Sequence, residues 1–300
     1  MTARSNSLGA TTTIVCDGLV KIYKVADLEV VALQGLDLNV DPGEFIAIVG
    51  TSGSGKSTLL NILGGLDTPS AGAVSVAGHD LLNMDSKART HYRRKVIGFV
   101  WQQTARNLFP YMTSVENVEL PMALDGRTPR HRRKRAMEML ERVDMGHRAR
   151  HRPAELSGGE QQRVAIAVSL ANSPRVLLAD EPTGELDSAT SAEVFETLKT
   201  VNTSGTTIVV VTHDPLVTEF VSRTIAIRDG RTSSEVVRWT EVDDDGEHRM
   251  MAEEYVVLDR VGRMQLPHDY VEALDLRNRV RLTLDPDHVN VWPDQNSTKD

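Results

Sequence analysis

Short apolar runs separated by glycines and charged residues indicate the architecture of the chain. Residues 45–49, 176–179 and 209–211 are continuously apolar, which is typical of strands buried on both faces of a parallel sheet. Residues 14–50 instead alternate like antiparallel strands, and residues 72–78 add another strand bounded by glycines. The pattern predicts an α/β fold in which an antiparallel β-subdomain accompanies a parallel core.

Helical patterns occupy the stretches between the apolar strands. Residues 58–63 and 164–170 are expected to be helical, and residues 104–155 form an arginine-rich helical subdomain that interrupts the core. Within it, the basic run at 130–135 continues into 136–140 as one amphipathic helix. Its basic face is either simply solvated or in contact with a partner or lipid headgroups.

The clearest chemical motif lies between the first apolar strand and the helix that follows it. Its sequence fits G-x-x-x-x-G-K-[ST], and its residues are Gly50, Thr51, Ser52, Gly53, Ser54, Gly55, Lys56 and Ser57, with Thr58 next in the helix. The glycines let successive N–H groups point at a phosphate, and the helix N-terminus adds partial positive charge. The motif predicts a nucleotide site with Lys56 on the outer phosphates and Ser57 on Mg²⁺.

Two further motifs follow in the second half of the chain. Residues 156–163 read Leu-Ser-Gly-Gly-Glu-Gln-Gln-Arg and place polar groups at a helix N-terminus, where a serine is also an ordinary helix cap. The apolar strand at 176–179 ends in Asp180 and Glu181. Ligands collect at this carboxyl edge of a parallel sheet, so the two acids are candidate site residues.

With these motifs in this order, residues 14–232 resemble the ATP-binding cassette (ABC) ATPases, whose signature is Leu-Ser-Gly-Gly-Gln. The resemblance implies ATP hydrolysis with ATP and Mg²⁺ bound. It implies that Asp180 holds the metal and that Glu181 orients and deprotonates the attacking water. It assigns His213 to the terminal phosphate, and Gln102 to the metal and to sensing of a transmembrane partner.

The resemblance also implies a head-to-tail dimer of two copies around ATP. Tyr23 occupies the position at which the family stacks an aromatic ring on adenine. The signature of one copy would contact the ATP held by the other, through Ser157, Gly158, Gly159 and Glu160, with Asp187 in the loop that crosses the dimer. Glu160 replaces the usual glutamine, and Glu185 stands where a smaller residue is more common.

Residues 107–122 resemble the branch of ABC ATPases that serves lipoprotein release, macrolide export and cell division. This stretch follows Gln102, where the family receives the coupling helix of its membrane subunit. The resemblance implies a transmembrane permease partner like those of the cell-division and macrolide-export systems. Export and mechanical signalling across the membrane both stay open. Four apolar side chains would either line the permease cleft or pack locally: Leu108, Phe109, Tyr111 and Met112.

Composition and length limit the partners, the compartment and the class of ABC protein that the sequence allows. The net charge of −8 argues against a nucleic-acid partner. The single cysteine, Cys16, fits a reducing compartment, and no apolar run approaches the ~20 residues needed to cross a bilayer. We therefore expect a peripheral subunit on the cytoplasmic face of a membrane. A chromosome-maintenance ATPase would need a long coiled-coil insertion, and a translation factor of this class would carry two cassettes.

The C-terminal region reads as a separate unit. Two strand-like runs, 280–284 and 289–292, follow a short helical stretch and resemble the AbrB-like swapped-hairpin fold. AbrB-like proteins often bind DNA, but acids outnumber bases ten to six in residues 251–300, which favours dimerisation over a DNA-associated regulator. The predicted division is a flexible N-terminus at 1–13, an ATPase domain at 14–235, an acidic linker at 236–250, an AbrB-like dimerisation domain at 251–293 and a flexible tail at 294–300.

Overall fold

The computed structural model describes residues 12–25, 28–103, 107–242, 248–259, 262–277 and 279–293. In these residues the strands, in chain order, are β1 (Ile14–Val25), β2 (Leu28–Val40), β3 (Phe45–Val49), β4 (Ala71–Val76), β5 (His79–Asp80), β6 (Ile97–Val100), β7 (Val176–Asp180), β8 (Thr207–Val211), β9 (Arg223–Arg228), β10 (Arg231–Val242), β11 (His248–Val256), β12 (Val280–Leu284) and β13 (Val289–Pro293). The helices are α1 (Lys56–Leu63), α2 (Ser86–Lys95), α3 (Ser114–Leu124), α4 (Pro129–Arg142), α5 (Gly158–Leu170), α6 (Ser188–Asn202) and α7 (His268–Ala273).

A seven-stranded mixed sheet forms the centre of the described fold, in the order β11-β10-β9-β3-β8-β7-β6. Strands β9, β3, β8, β7 and β6 run parallel, while β10 and β11 are added antiparallel at one side. The expected α/β core and antiparallel subdomain are confirmed, since a second sheet has the order β2-β1-β4-β5. The apolar runs at 45–49, 176–179 and 209–211 lie in the parallel strands.

The alternation of side chains along β3 and β8 divides the interior into two cores. Ala47 and Val210 pack with the helical side, whereas Ile46, Ile48 and Val209 pack with α1 and the antiparallel sheet. Every one of these side chains is fully buried. A strand buried on both faces must be apolar at every position, so these runs lack the alternation of apolar and polar residues seen in a half-exposed strand.

Helix α4 confirms the amphipathic pattern in the arginine-rich segment. Its buried residues are Ala136, Met139 and Leu140, so the basic run lies on the outer side. The helix packs against α3 and α5. Within the described residues, no helix is long and apolar enough to cross a membrane.

The segment predicted as an acidic linker differs from that expectation. Strand β10 continues to Val242, and β11 begins at His248, so most of 236–250 is paired strand; residues 243–247 lie outside the described part of the chain. Glu241, the acid of this segment that the structure describes, is exposed near the end of β10, where charge is compatible with strand structure.

The C-terminal secondary structure follows the sequence pattern. Helix α7 and the β12–β13 hairpin occupy the predicted helical and strand-like runs. The hairpin pairs Val280 with Pro293, Leu282 with Val291 and Leu284 with Val289, so one of its faces is entirely apolar. Leu282 is 62% and Leu284 is 81% exposed. The predicted flexible ends, except residues 12 and 13, lie outside the described residues.

Candidate functional site

The phosphate-loop motif links β3 to α1 in a conformation that requires glycine. Gly55 is the N-cap of α1 with φ 101°, and no side chain caps this helix. A Cβ on Gly55 would lie 2.6 Å from the carbonyl oxygen of Ala32, and a Cβ on Gly50 would lie 2.2 Å from that of Ile227. Any larger residue would therefore displace neighbouring backbone as well as strain the loop.

Lys56 brings positive charge to the inside of this loop. Its Nζ donates to the carbonyl oxygens of Gly50 at 2.8 Å and Thr51 at 2.9 Å, and the residue is 9% exposed. Because these acceptors are neutral carbonyls, the ammonium can exchange them for a more negative acceptor such as a phosphate oxygen.

A cavity of about 690 Å³ opens beside the loop. It brings together ten of the residues predicted from the sequence, namely Gly50, Ser52, Gly53, Gly55, Lys56, Ser57, Thr58, Gln102, Glu181 and His213. The size is within the usual range for a small-molecule site. Val30, Val31 and Ala32 of β2 complete the lining and are not among the residues predicted from the sequence. The feature that could have indicated them is the pair of valines, which are exposed although apolar.

Asp180 ends β7 beside the cavity. Its Oδ1 is buried with no hydrogen-bond partner, while the carboxylate is also hydrogen-bonded by Ser57. Burial, with the neighbouring charge of Glu181, raises the pKa of Asp180. A buried carboxylate oxygen without a donor is costly unless a cation occupies the adjacent space, so this pair of side chains fits a hard divalent ion.

Glu181 and His213 form a contact across the same edge of the sheet. His213 Nδ1 lies 2.9 Å from Glu181 Oε1, and the His213 backbone N–H donates to Glu181 Oε2 at 3.3 Å. The hydrogen bond between the two side chains, together with the negative charge of Glu181, raises the pKa of His213. Glu181 has a left-handed backbone, with φ 46°, while its N–H donates to Val211 at 2.8 Å. Such strain is concentrated at functional positions.

Gln102 lies in a loop that a single asparagine side chain holds in place. The Trp101 backbone N–H donates to Asn107 Oδ1 at 2.8 Å, and Asn107 Nδ2 donates back to the Trp101 carbonyl at 2.8 Å. The Trp101 ring packs on Phe99 with 4.1 Å between centroids. Residues 104–106 lie outside the described chain. The loop thus projects Gln102 into the cavity from a fixed base.

The signature residues are not among those that line the cavity of their own chain. Ser157 is the N-cap of α5; its Oγ accepts from the Glu160 backbone N–H at 3.2 Å, and its own N–H donates to Glu160 Oε2 at 2.8 Å. Residue 160 thus closes a reciprocal capping box, and the charge of Glu160 also forms an ion pair with Arg148 at 3.0 Å. The Ser157 backbone N–H, together with Arg148, lowers the pKa of Glu160.

The loop at 184–187 and the first turn of α6 pack directly on the start of α5. A Cβ on Gly159 would lie 2.3 Å from Thr190 Cγ2, and a Cβ on Gly158 would lie 3.0 Å from Leu186. Asp187 caps α6 by accepting from the Thr190 backbone N–H at 3.0 Å. Close approach therefore explains both signature glycines, and it joins Asp187 to the signature as one surface.

Tyr23 lies on β1 outside the cavity lining. Its hydroxyl donates to Asp67 Oδ2 at 2.8 Å, and the Lys21 ammonium lies 4.7 Å from the centre of its ring. In the β1–β2 pairing Tyr23 faces Val30, which does line the cavity and is 53% exposed. Stacking of this ring on adenine stays a prediction.

A second cavity, of about 320 Å³, lies beside the Gln102 loop. Phe109, Leu120 and Leu124 give it apolar walls, and Asn107 borders it. The four apolar residues noted in the sequence separate here: Phe109 lines the cavity, Leu108 is buried in the core, Tyr111 is 68% exposed, and Met112 is half-buried.

Comparison with known proteins identifies relatives across most of the chain. The family model described as ABC transporter matches residues 33–184. The chain is 49% identical over 210 residues to the uncharacterized ABC transporter ATP-binding protein MJ1508 of Methanocaldococcus jannaschii, covering 70% of this chain and 93% of that protein. It is 41% identical over 270 residues to the macrolide export ATP-binding/permease protein MacB of an Azoarcus species, covering 90% of this chain but only 40% of MacB.

Solved structures match about three quarters of the chain. The dimeric, post-hydrolysis structure of the ATP-binding cassette MJ0796 bound to ADP and Pi aligns with a TM-score of 0.67 and 44% identity, covering 74% of this chain and 97% of the other. The dimeric structure of MJ0796, described as a bacterial ABC transporter cassette, aligns equally well at 45% identity. The family model at residues 33–184 includes the phosphate loop, Gln102 and Glu181.

Proposed function

Because the chain belongs to the ABC transporter family and is an ATP-hydrolysing subunit of that family, we propose that it uses ATP binding between two copies to drive a separate transmembrane permease. The observation that carries this proposal is the 690 Å³ cavity, in which the phosphate loop faces Glu181 and His213. The MJ0796 dimers support the head-to-tail arrangement of two copies.

In this proposal the phosphate loop supplies most of the ATP affinity. The uncapped start of α1 directs backbone N–H groups at the phosphates, and Lys56 exchanges the carbonyls of Gly50 and Thr51 for phosphate oxygens. Tyr23 and the apolar residues of β2 would contact the adenine end.

A magnesium ion would be held by Ser57, Asp180 and Gln102, and it would neutralise phosphate charge during hydrolysis. The orphaned Asp180 Oδ1 is the observation that supports this assignment. Burial and the neighbouring charge of Glu181 raise the pKa of Asp180, and a bound cation would favour its ionised form.

Hydrolysis requires Glu181 to accept a proton from the attacking water, with His213 contacting the terminal phosphate. In the present conformation the two side chains are engaged with each other. The His213 side chain is 71% exposed, so it can swing away without disrupting the core. Release of Glu181 from His213 is then a step that prepares the base.

The second copy completes the site through its signature. Ser157, Gly158, Gly159 and Glu160 would face the ATP held by the other chain, with Asp187 beside them. The Ser157 oxygen accepts a hydrogen bond within its own capping box, which leaves its hydroxyl proton for an acceptor on the ATP.

The 320 Å³ cavity beside the Gln102 loop would receive the coupling segment of a permease at the cytoplasmic face of the membrane. Its apolar walls suit an amphipathic helix, and the permease would be of the lipoprotein-release, macrolide-export and cell-division branch. The substrate, and the choice between export and mechanical signalling, would reside in that permease.

Leu124→Asp tests the permease site, because Leu124 lines the cavity and is 63% exposed. Affinity purification from detergent-solubilised native membranes should recover one multispanning membrane protein with the wild type and with the control Leu82→Asp, which alters an exposed leucine outside the cavity. Leu124→Asp should lose that protein and keep ATP binding. Equal recovery with Leu124→Asp would reject the cavity as the docking site.

The β12–β13 hairpin would contribute an AbrB-like contact between two copies. Its apolar face is exposed, and a hairpin of this size cannot bury a core alone. Pairing two such faces would tether the ATPase halves and raise their effective concentration to roughly millimolar.

Leu282→Glu should weaken self-association of the full chain without nucleotide, whereas Thr283→Glu, on the opposite hairpin face, should not. Sedimentation velocity over a concentration series measures both. Unchanged association in Leu282→Glu would reject the tether, and tight binding of the wild-type chain to duplex DNA would favour a DNA-associated regulator instead.

A further inference from the structure

The two edges of the central sheet are unequal. The β6 edge is four residues long, whereas the β11 edge is nine residues long and has no described strand on its outer side. All described side chains from Arg249 to Tyr255 are exposed, including Met250 at 68% and Met251 at 39%. A long edge strand of this kind is a template for pairing with another strand.

We propose that the β11 strands of two copies pair antiparallel about a two-fold axis at Met251, joining their central sheets edge to edge. The contact is independent of the ATP site and of the tail hairpin. It would hold the two copies together in the absence of nucleotide.

The hydrogen-bonding pattern determines which residues can form this contact. The Val257 N–H donates to Ser233, opposite it on the neighbouring strand. Because inward and outward backbone groups alternate, the odd-numbered residues of β11 bond to β10 and the even-numbered residues direct their N–H and C=O groups outward. A second β11 must therefore match even residues with even residues.

Among the alignments that satisfy this alternation, the one with its axis at Met251 pairs residues 248–254 of the two copies and places opposite charges face to face. With the axis at Met251, Arg249 of each copy lies opposite Glu253 of the other, and Met250 lies opposite Ala252. Shifting the axis to Ala252 would place Met250 opposite Glu254 and Met251 opposite Glu253. Shifting it to Glu253 would place two glutamates opposite each other.

Opposite charges in directly facing positions stabilise an antiparallel pair, and like charges destabilise it. The contact requires only that Arg249 and Glu253 have opposite signs. Met250 and Ala252 would exchange backbone hydrogen bonds in each pair, and the two Met251 side chains would meet at the axis in a close, non-hydrogen-bonded position. Charges of one sign alone would instead have kept a second copy away.

A charge-exchange series on the full chain tests the proposal by sedimentation without nucleotide. Glu253→Arg and Arg249→Glu each place like charges opposite each other and should raise the dimer dissociation constant about tenfold or more. Combining the two substitutions restores opposite charges and should return the constant to near the wild-type value. Glu219→Arg makes the same charge change on an exposed residue elsewhere and should have no effect.

Ala252→Pro provides a test that does not depend on charge. Proline removes the outward N–H of residue 252 but not a bond to β10, and an edge strand tolerates it. Circular dichroism should remain that of the wild type while dimerisation weakens. The proposal is overturned if the wild type is monomeric without ATP, if the single variants associate normally, or if the double variant fails to recover. Normal association in these variants together with loss in Leu282→Glu would assign the contact to the tail.

Discussion

Two helix N-termini rich in small polar residues, those of α1 and α5, differ in how they are capped. Helix α1 begins at Gly55 with no side-chain cap, whereas α5 begins at Ser157 with a complete capping box closed by Glu160. The first keeps its N–H groups available for a phosphate within its own chain. The second is already satisfied and therefore remains ordered before a second copy arrives. Under the proposed mechanism, the N-terminus of α1 (the α1 half-site) binds ATP, and the N-terminus of α5 (the α5 half-site) contacts the ATP held by the other copy.

Removing the base at the α1 half-site should have the largest effect. Glu181→Gln should slow hydrolysis at least about 100-fold while ATP still binds, because only proton transfer from water is lost. Phosphate release and equilibrium ATP binding measure the two properties. The variant should accumulate as an ATP-bound dimer, and substantial turnover at saturating ATP and Mg²⁺ would exclude Glu181 as the base.

Altering the α5 half-site should block hydrolysis through the other chain. Ser157→Arg places a large charged side chain on the signature and should abolish turnover while leaving ATP affinity of the monomer unchanged. Mixing it with Lys56→Ala chains creates one intact composite site in each heterodimer, so activity should return. If one intact site is known to suffice for turnover, heterodimers that form but stay inactive would contradict the idea that the signature of one copy acts on the ATP held by the other.

The absence of a cap at α1 depends on glycine, which stability measurements can test. Gly55→Ala combines a positive φ with contact to Ala32 and should lower the free energy of unfolding by more than about 2 kcal/mol. Gly53→Ala, also at positive φ but with no atom within 4 Å of the added Cβ, should cost only about 1 kcal/mol. Chemical denaturation distinguishes them; equal losses would mean that crowding at Gly55 is unimportant.

The capping box at α5 should contribute a smaller, pH-dependent stability. Glu160→Gln keeps an acceptor but removes the charge near the helix N-terminus and the Arg148 ion pair, which should cost about 0.5 kcal/mol. Because the folded-state pKa of Glu160 is lowered, this contribution is present above the unfolded-state pKa and is lost as pH falls through the folded value. Chemical denaturation at a series of acidic pH values should show the difference in free energy of unfolding between wild type and Glu160→Gln disappearing as pH falls, with Glu219→Gln as the control. A difference that persists would assign it to packing.

The smallest expected effect is on the ionisation of His213. Its pKa should lie above the ordinary value of 6.5 and return toward that value in Glu181→Gln. The stability that this contact contributes is fully present below the unfolded-state pKa of His213 and is lost as pH rises through its raised folded-state pKa. A nuclear magnetic resonance titration of the His213 ring measures it, and an identical pKa in both proteins would mean that Glu181 does not hold the ring.

The parts of the site that local spacing determines were predictable from the sequence. The phosphate loop and the residues at strand ends gather in one cavity, because carboxyl ends of parallel strands share an edge. Val30, Val31 and Ala32 could not be found this way, since β2 reaches the cavity by packing of its backbone at Ala32 against Gly55, a contact that local spacing does not indicate. The Ser157-x-x-Glu160 spacing did contain a capping-box signal, which predicted the ordered start of α5.

The strand at 231–242 shows why composition alone misplaced a boundary. Val236, Val237 and Trp239 have strand-forming side chains, but acids surround them and lower the apparent tendency to fold. Pairing with β9 on one side and β11 on the other supplies the missing stabilisation. Such tertiary pairing has no local signature in the chain.

The Trp101 ring, which packs on Phe99, is an intrinsic fluorescent probe next to Gln102. Indole emission responds to nearby rings and to solvent, so a change in the loop on ATP binding or on permease docking would alter the intensity and wavelength of Trp101. The other two tryptophans, Trp239 and Trp292, lie on β10 and on the tail hairpin, where they would report different events. Replacing both with phenylalanine would leave a native protein whose intrinsic fluorescence follows the glutamine loop in real time.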